Sequence, residues 1–271
     1  MSNWKDYLGD KAFYRRIAAI ALPISAQLLI TVGVNLMDTV MLSSMGDAQL
    51  SASSLGGQFI NLFQIFCMGI GMGASVLTSR YWGMRELPSL RKTVTIMLRF
   101  AIVLSLAFTA ATVIAPAGIM QIYTPEPDIV EYGVVYLRWL IPTYLCIGLS
   151  LTCTLVLRSV GSVHIPLRSS IFAFFVNIFF NWVFIFGHLG APRMEIAGAA
   201  LGTLIARLFE LVFICTHFFF RDQKIGYRLK NLLIESFLAQ KRLHGSEAQQ
   251  LTFVGVFASR SDCGGYSFFV Q

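Results

Sequence analysis

Six stretches of this chain are apolar for long enough to cross a lipid bilayer as helices, and that property limits what it can become. A hydrocarbon core about 30 Å thick needs about 20 apolar residues at the helical rise of about 1.5 Å each. The stretches run from Ile17 to Leu42, Gln58 to Ser79, Thr93 to Ile119, Tyr132 to Leu157, Ile165 to Gly187 and Ile196 to Phe220. None alternates with the period of two that marks a barrel strand. In lipid each must close its own backbone hydrogen bonds, which only a helix does within one segment. The expected fold class is all-α, a polytopic membrane protein with six transmembrane helices. Composition agrees, because 56% of the 271 residues are hydrophobic and only 13% are charged. Soluble domains carry roughly 25% charged residues, so a disordered chain, a coiled coil and an ordinary soluble enzyme are excluded.

The formal net charge of +7 sits between the spans rather than in a patch. Lys5, Lys11, Arg15 and Arg16 precede the first span, and Arg80, Arg85, Arg91 and Lys92 separate the second from the third. Arg158 and Arg168 flank the next turn on that side, and Arg221, Lys224, Arg228 and Lys230 follow the sixth span. The opposite loops hold Asp47, then Glu126, Asp128 and Glu131, then Arg193 and Glu195. Basic loops mark the cytoplasmic side. Both termini of a multi-pass cell-membrane protein are therefore expected in the cytoplasm, and no nucleic-acid partner is expected. Cys67, Cys146, Cys153 and Cys215 fall inside spans and read as small hydrophobes, not as a disulfide framework. Residues 1–16 are expected to form a cytoplasmic segment without a leader-cleavage pattern, and 17–220 a six-helix lobe. Beyond Arg221 the periodicity stops, and 221–271 reads as a poorly ordered cytoplasmic tail.

Polar side chains inside spans are costly and usually face a cavity or a partner. Gln27, Thr31, Asn35 and Asp38 of span one are spaced by four, four and three, which places them on one helical face. Pro23 in the same span removes a backbone hydrogen bond and invites a bend. Asn177 and Asn181 share a face of span five, and span six carries Thr203. At the helical rise, Asp38, Asn181 and Thr203 lie roughly 8, 9 and 10 Å in from the outer ends of their spans. A carboxylate, amide oxygens and a hydroxyl are hard oxygen ligands suited to a small cation or a proton. Each alone reads equally as interhelical hydrogen bonding; together they make a candidate cation site. Asn61 and Gln64, with Gln58, form a shorter polar stripe on span two that lines a cavity or joins helices. Arg207 and Glu210, three apart in span six, read as a structural ion pair. His164, His188, His217 and His244 are scattered, with no H-E-x-x-H, and no Ser sits in G-x-S-x-G. No catalysis and no bound metal are expected.

Several of these pieces together resemble the multidrug and toxic compound extrusion (MATE) transporters. They are Leu22-Pro23-Ile24 through Asn35-Leu36-Met37-Asp38-Thr39-Val40-Met41, and "GIGMGASVLTSRYWG" from Gly69 to Gly83 with its basic loop. Asn177-x-x-x-Asn181-Trp182 and Gly198 to Thr203 complete the pattern, in the family's order, across about Arg15 to Lys230. The resemblance implies an antiporter that expels cationic or amphiphilic compounds from the bilayer or cell against protons or sodium. It places Asp38 at the family's cation-binding aspartate, with Asn177, Asn181 and Thr203 completing that site. Some members have Asp where this chain has Asn181, which leaves less negative charge here, so H+ and Na+ both stay open as the coupling ion. No cofactor is implied. The family has twelve helices in two lobes. From about Ser236 this chain no longer resembles it, so a truncated copy is expected, one needing a second half or a homodimer. The alternatives are a lipid-linked saccharide flippase of the same superfamily and a non-transporting membrane fragment.

Overall fold

The computed structural model describes residues 11–221 and 224–227. They form helices α1 (Lys11–Ser43), α2 (Asp47–Gly83), α3 (Leu87–Ile114), α4 (Pro116–Tyr123), α5 (Pro127–Ser159), α6 (His164–Phe186) and α7 (Ile196–Thr216). A π turn, His217–Arg221, extends α7. No strand occurs among the described residues. Six of these helices are long and apolar enough to cross a membrane; only α4 is not. Residues 1–10 and most of the expected tail lie outside the described residues.

α1 and α5 start earlier than expected, at Lys11 and Pro127, and two spans differ from their expected bounds more deeply. The third was expected to run unbroken from Thr93 to Ile119, but α3 stops at Ile114 and α4 starts at Pro116. Between them Ala115 leaves helical geometry at φ −138°, ψ 55°. The Pro116 ring disfavours the α conformation at the residue before it and has no N–H to continue the ladder. The second span reaches back to Asp47, eleven residues before the apolar stretch starts. That early part is small and polar yet packs inward through Gln49, Ala52 and Gly56, with Asp47 in the first turn favoured by the helix dipole. α1 stays helical through Pro23.

The seven helices are arranged around α5, which packs against α2, α3, α4 and α7. Of its most apolar 18-residue stretch 72% is buried, against 6% for α1, which leans mainly on α6. Lipid tails are as apolar as Leu, so helices in a bilayer associate through close packing and hydrogen bonds. The α5 surface suits this, with Gly133, Gly148, Ser150, Thr152, Cys153 and Thr154 all buried. A Cβ at Gly148 would collide with Ser105 of α3, and one at Gly71 of α2 would collide with Leu155. Ser105 Oγ lies 2.7 Å from Ala101 O and 3.2 Å from Tyr144 O, joining α3 to α5.

Residues 224–227 fold back under the end of the bundle that carries Arg80, Arg91 and Arg158, here termed the basic end. Ile225 and Tyr227 are buried. Arg91 Nε donates to Ile225 O at 3.0 Å, and Tyr227 OH lies 2.8 Å from Thr95 Oγ1. Gly226 has φ +58°, and a Cβ there would sit 2.9 Å from Arg91 Nη2. The Tyr227 ring packs on Phe218 and Phe219, with centroids 5.7 and 6.0 Å away.

Candidate functional site

The candidate residues meet where α1, α6 and α7 adjoin, toward the end opposite the basic loops. α6 and α7 come close because α7 presents glycine to α6. A Cβ on Gly198 would lie 2.6 Å from the Phe184 carbonyl carbon and oxygen. One turn later a Cβ on Gly202 would collide with Asn181 Oδ1 and lie 3.1 Å from the Asn181 backbone nitrogen. Only a residue without a side chain allows that approach. Asn177 and Asn181 are thereby enclosed, at 1% and 0% exposure.

Asp38 reaches this buried pair from α1. Asn181 Nδ2 donates to Asp38 Oδ1 at 2.6 Å and to Asn177 Oδ1 at 3.3 Å. One amide NH2 thus bridges a carboxylate and a carbonyl oxygen across two helices. The remaining buried polar atoms, Asn177 Nδ2 and Asn181 Oδ1, have no hydrogen-bond partner. Unpaired buried polar atoms cost free energy, and Asn181 Oδ1 is a hard oxygen beside a carboxylate. Rotation of the amide about its last torsion would turn that oxygen toward Asp38. The donor set therefore fits a small hard cation, or a proton on Asp38. Thr203 follows Gly202 on α7, and among the described residues it makes no hydrogen bond to this group. Arg207, one turn further along α7, lies within electrostatic range of Asp38. It forms the expected ion pair with Glu210 at 2.9 Å.

The residues expected to line a cavity separate into two groups. Gln27 faces protein rather than a cleft. Its Oε1 accepts from Arg158 Nη2 of α5 at 2.6 Å, and its Nε2 donates to Ser170 Oγ of α6 at 2.9 Å. Thr31, Asn35 and Asn61 are exposed, and Gln64 is half-buried. Thr31 donates back to its own helix at Gln27 O, at 3.1 Å. The four positions of α1 therefore do not act as one face: Gln27 and Asp38 bind α6, while Thr31 and Asn35 stay open.

Two features were not expected from the sequence. The Gln27–Arg158–Ser170 junction is one, because Arg158 reads as a loop charge and Ser170 as a plain span residue. The other closes the outer corner, where buried Gln49 of α2 donates to Glu195 Oε2 at 2.6 Å. Arg193 pairs with Glu195 at 3.4 Å and touches Met45 Sδ at 3.2 Å. Glu195 holds φ +51°, ψ −120° at the start of α7, a strained conformation for a residue with a side chain. No sequence signal marks either contact.

Residues 23–183 match the family model described as MatE. A probable multidrug resistance protein NorM of Thermotoga maritima is 24% identical over 245 residues, which is 89% of this chain and 52% of that relative. Another protein of that name, from Mesorhizobium japonicum, is 30% identical over 202 residues, 71% of this chain and 41% of its own. The chain thus spans about half the length of these relatives. A crystal structure of MATE in the bent conformation superposes with TM-score 0.77 at 21% identity. It covers 91% of this chain and 52% of that one, a likeness of fold.

Proposed function

Because the chain belongs to the MatE family, we propose that it is the cation-binding six-helix unit of an efflux transporter. That transporter would exchange cationic or amphiphilic compounds for protons or sodium ions. The observation that carries this reading is the Asn181 amide bridging Asp38 and Asn177, which links α1 to α6 inside the membrane-spanning region.

Asp38 supplies the charge that receives the coupling ion. A proton on Asp38, or a sodium ion held by Asp38, Asn177 and a turned Asn181 with Thr203 beside them, removes the charge-assisted hydrogen bond between α1 and α6. Bonds to an ionised group are about twice as strong as neutral ones, so a proton loosens α1 from α6, whereas a shared sodium ion re-seats α1 by replacing that bond with coordination. α1 is also the least enclosed span. Its open residues Thr31 and Asn35, with Asn61 and Gln64 of α2, would face the transported compound. Coupling then works by competition: the ion alters the seating of α1, and α1 shapes the wall against which the compound lies. Alternating access requires two units rocking about a shared cavity. A second half or a second copy would face α1 and α2. The basic end would lie in the cytoplasm, as the positions of Arg80, Arg85, Arg91 and Arg158 support.

The test is ethidium movement in liposomes carrying the purified chain under an imposed proton or sodium gradient, with Asp38→Asn alongside. Gradient-driven movement that the variant loses is the expected result. Movement that persists unchanged in Asp38→Asn overturns the assignment.

A further inference from the structure

The candidate ion-site residues on α1, α6 and α7 each have an apolar residue one helical turn further out. Leu42 follows Asp38 by four positions on α1, Ile185 follows Asn181 by four on α6, and Ala199 precedes Thr203 by four on α7. α1 and α6 run toward the outer end and α7 runs from it, so all three sit about 6 Å outward of the site at the helical rise. They are buried against one another as a cluster of their own. At this level α6 and α7 meet backbone to backbone, since a Cβ on Gly198 would strike the Phe184 carbonyl. The hydroxyls next along α1 stay out of the layer. Ser43 and Ser44 are exposed and donate back to Val40 O and Met41 O, at 2.8 Å each.

Met41, Met45, Leu50 and Phe186 pack against this layer, and two of them are tied to Glu195. Leu50 follows Gln49, whose Nε2 donates to Glu195 Oε2 at 2.6 Å. Met45 Sδ accepts from Arg193 Nη2, which also pairs with Glu195. The Glu195 carbonyl in turn accepts from the Ala199 backbone N–H at 3.1 Å. One residue therefore joins α2 to the layer on α7. It does so at positive φ, a conformation that costs free energy and persists only while its contacts hold it. Buried Gln49 Oε1 has no partner, so this corner is closed without being fully satisfied.

We propose that Leu42, Ile185 and Ala199 seal the outer end of this unit against the coupling ion, and that the Gln49–Glu195 bond latches the seal. This rests on the reading of Asp38 as the ion-binding carboxylate and adds where the ion enters. An apolar constriction excludes ions because it does not stay wet. With the outer end shut, the ion reaches Asp38 from the side, past exposed Asn35 one turn inward on α1. Ion and compound then use one cleft. Breaking the latch opens a second route, through which the ion leaks without moving any compound.

The experiment measures access alone, so its outcome is separate from that of the liposome test of Asp38→Asn. The parent is the full chain with its five cysteines replaced and Asn181→Cys introduced, at a position without exposure. In detergent it is treated with 2-aminoethyl methanethiosulfonate, a small cation, and modification is followed by intact-mass spectrometry. All variants share the parent's missing bridge to Asp38, so only differences between them count. Leu42→Ala cuts back the layer and is expected to speed modification about tenfold or more. Gln49→Leu should speed it several-fold, and Phe175→Ala, at an exposed position of α6, should leave it unchanged. Rates in Leu42→Ala and Gln49→Leu equal to the parent's overturn the proposal. An equal rise in Phe175→Ala also overturns it, because the rate then reports general loosening. An unchanged rate in Gln49→Leu beside a fast Leu42→Ala overturns the latch and supports the seal. If Leu42→Ala fails to fold, Ile185→Val, a smaller cut in the same layer, takes its place with the same outcomes.

Discussion

One amide at Asn181 both orients Asp38 and marks how close α7 may come, and its two roles separate by mutation. Gly202→Ala would drive a methyl group into Asn181, and overpacking of this kind costs about 1–3 kcal/mol. Its thermal midpoint in detergent should fall clearly. Gly57→Ala, at a glycine with nothing within 4 Å, is the control and should leave the midpoint unchanged or slightly raised. A fall in both variants would mean the Gly202 contact is not what limits the approach. Asn181→Leu keeps the volume but removes the bridge to Asp38, so any gradient-driven movement should be lost while the protein still inserts. Retained coupling in that variant would remove Asn181 from the site. The Asp38 and Asn181 pairing was legible from spacing and depth, since helical periodicity and rise place both polar groups at one level. Gln27 was not legible, because its partners Arg158 and Ser170 lie 131 and 143 residues away. Nothing in the local pattern of α1 says that Gln27 turns toward α6 while Thr31 stays open.

At the scale of elements, α1 is fastened to the bundle at two polar points, the Gln27 junction and the Asp38 bridge. Gln27→Leu would leave Arg158 without its closest acceptor, and hydrogen bonds to charged groups are worth about 1.5–3 kcal/mol. The expected outcome is faster amide exchange along α1 with α5 and α7 unaffected; uniform acceleration in every helix would contradict local fastening. Tyr227→Phe removes only the hydroxyl bonded to Thr95. A loss of about 0.5–1.5 kcal/mol is expected, read as a small drop in thermal midpoint. No change would show that the segment is held by Ile225 and ring packing alone. The number and order of the spans were readable because six long apolar runs have one economical solution in lipid. Their interruptions were not, because hydropathy runs on through Ala115, Pro116 and Ala117 while the backbone turns. The early part of α2 was missed for the opposite reason: it is helical although its residues are small and polar.

Across the whole molecule, one side carries polar groups that lipid cannot satisfy. Asn35 and Asn61 are exposed within spans, whereas Phe175 of α6, 63% exposed, suits lipid. In a background with the five native cysteines replaced, Asn35→Cys and Asn61→Cys should react with a water-soluble maleimide. Phe175→Cys should not. Equal silence at all three positions would mean that the α1 and α2 face lies in lipid, and it would exclude a watered cleft there.

The reliance of α1 on α6 also has a consequence in time. The residues that join them, Asp38 and Asn181, are 143 positions apart. At about 5–20 residues per second of synthesis, α1 exists for roughly 7–30 s before the helix that satisfies its carboxylate has been made. Through that interval an aspartate and a glutamine sit in a nascent helix with no partner. The insertion machinery, or the polar surface of α2 as it emerges, must shelter the first helix until the fifth span arrives. Making this protein thus includes a wait for its own second contact, and any delay between α2 and α6 lengthens the exposure of the residue that the site depends on most.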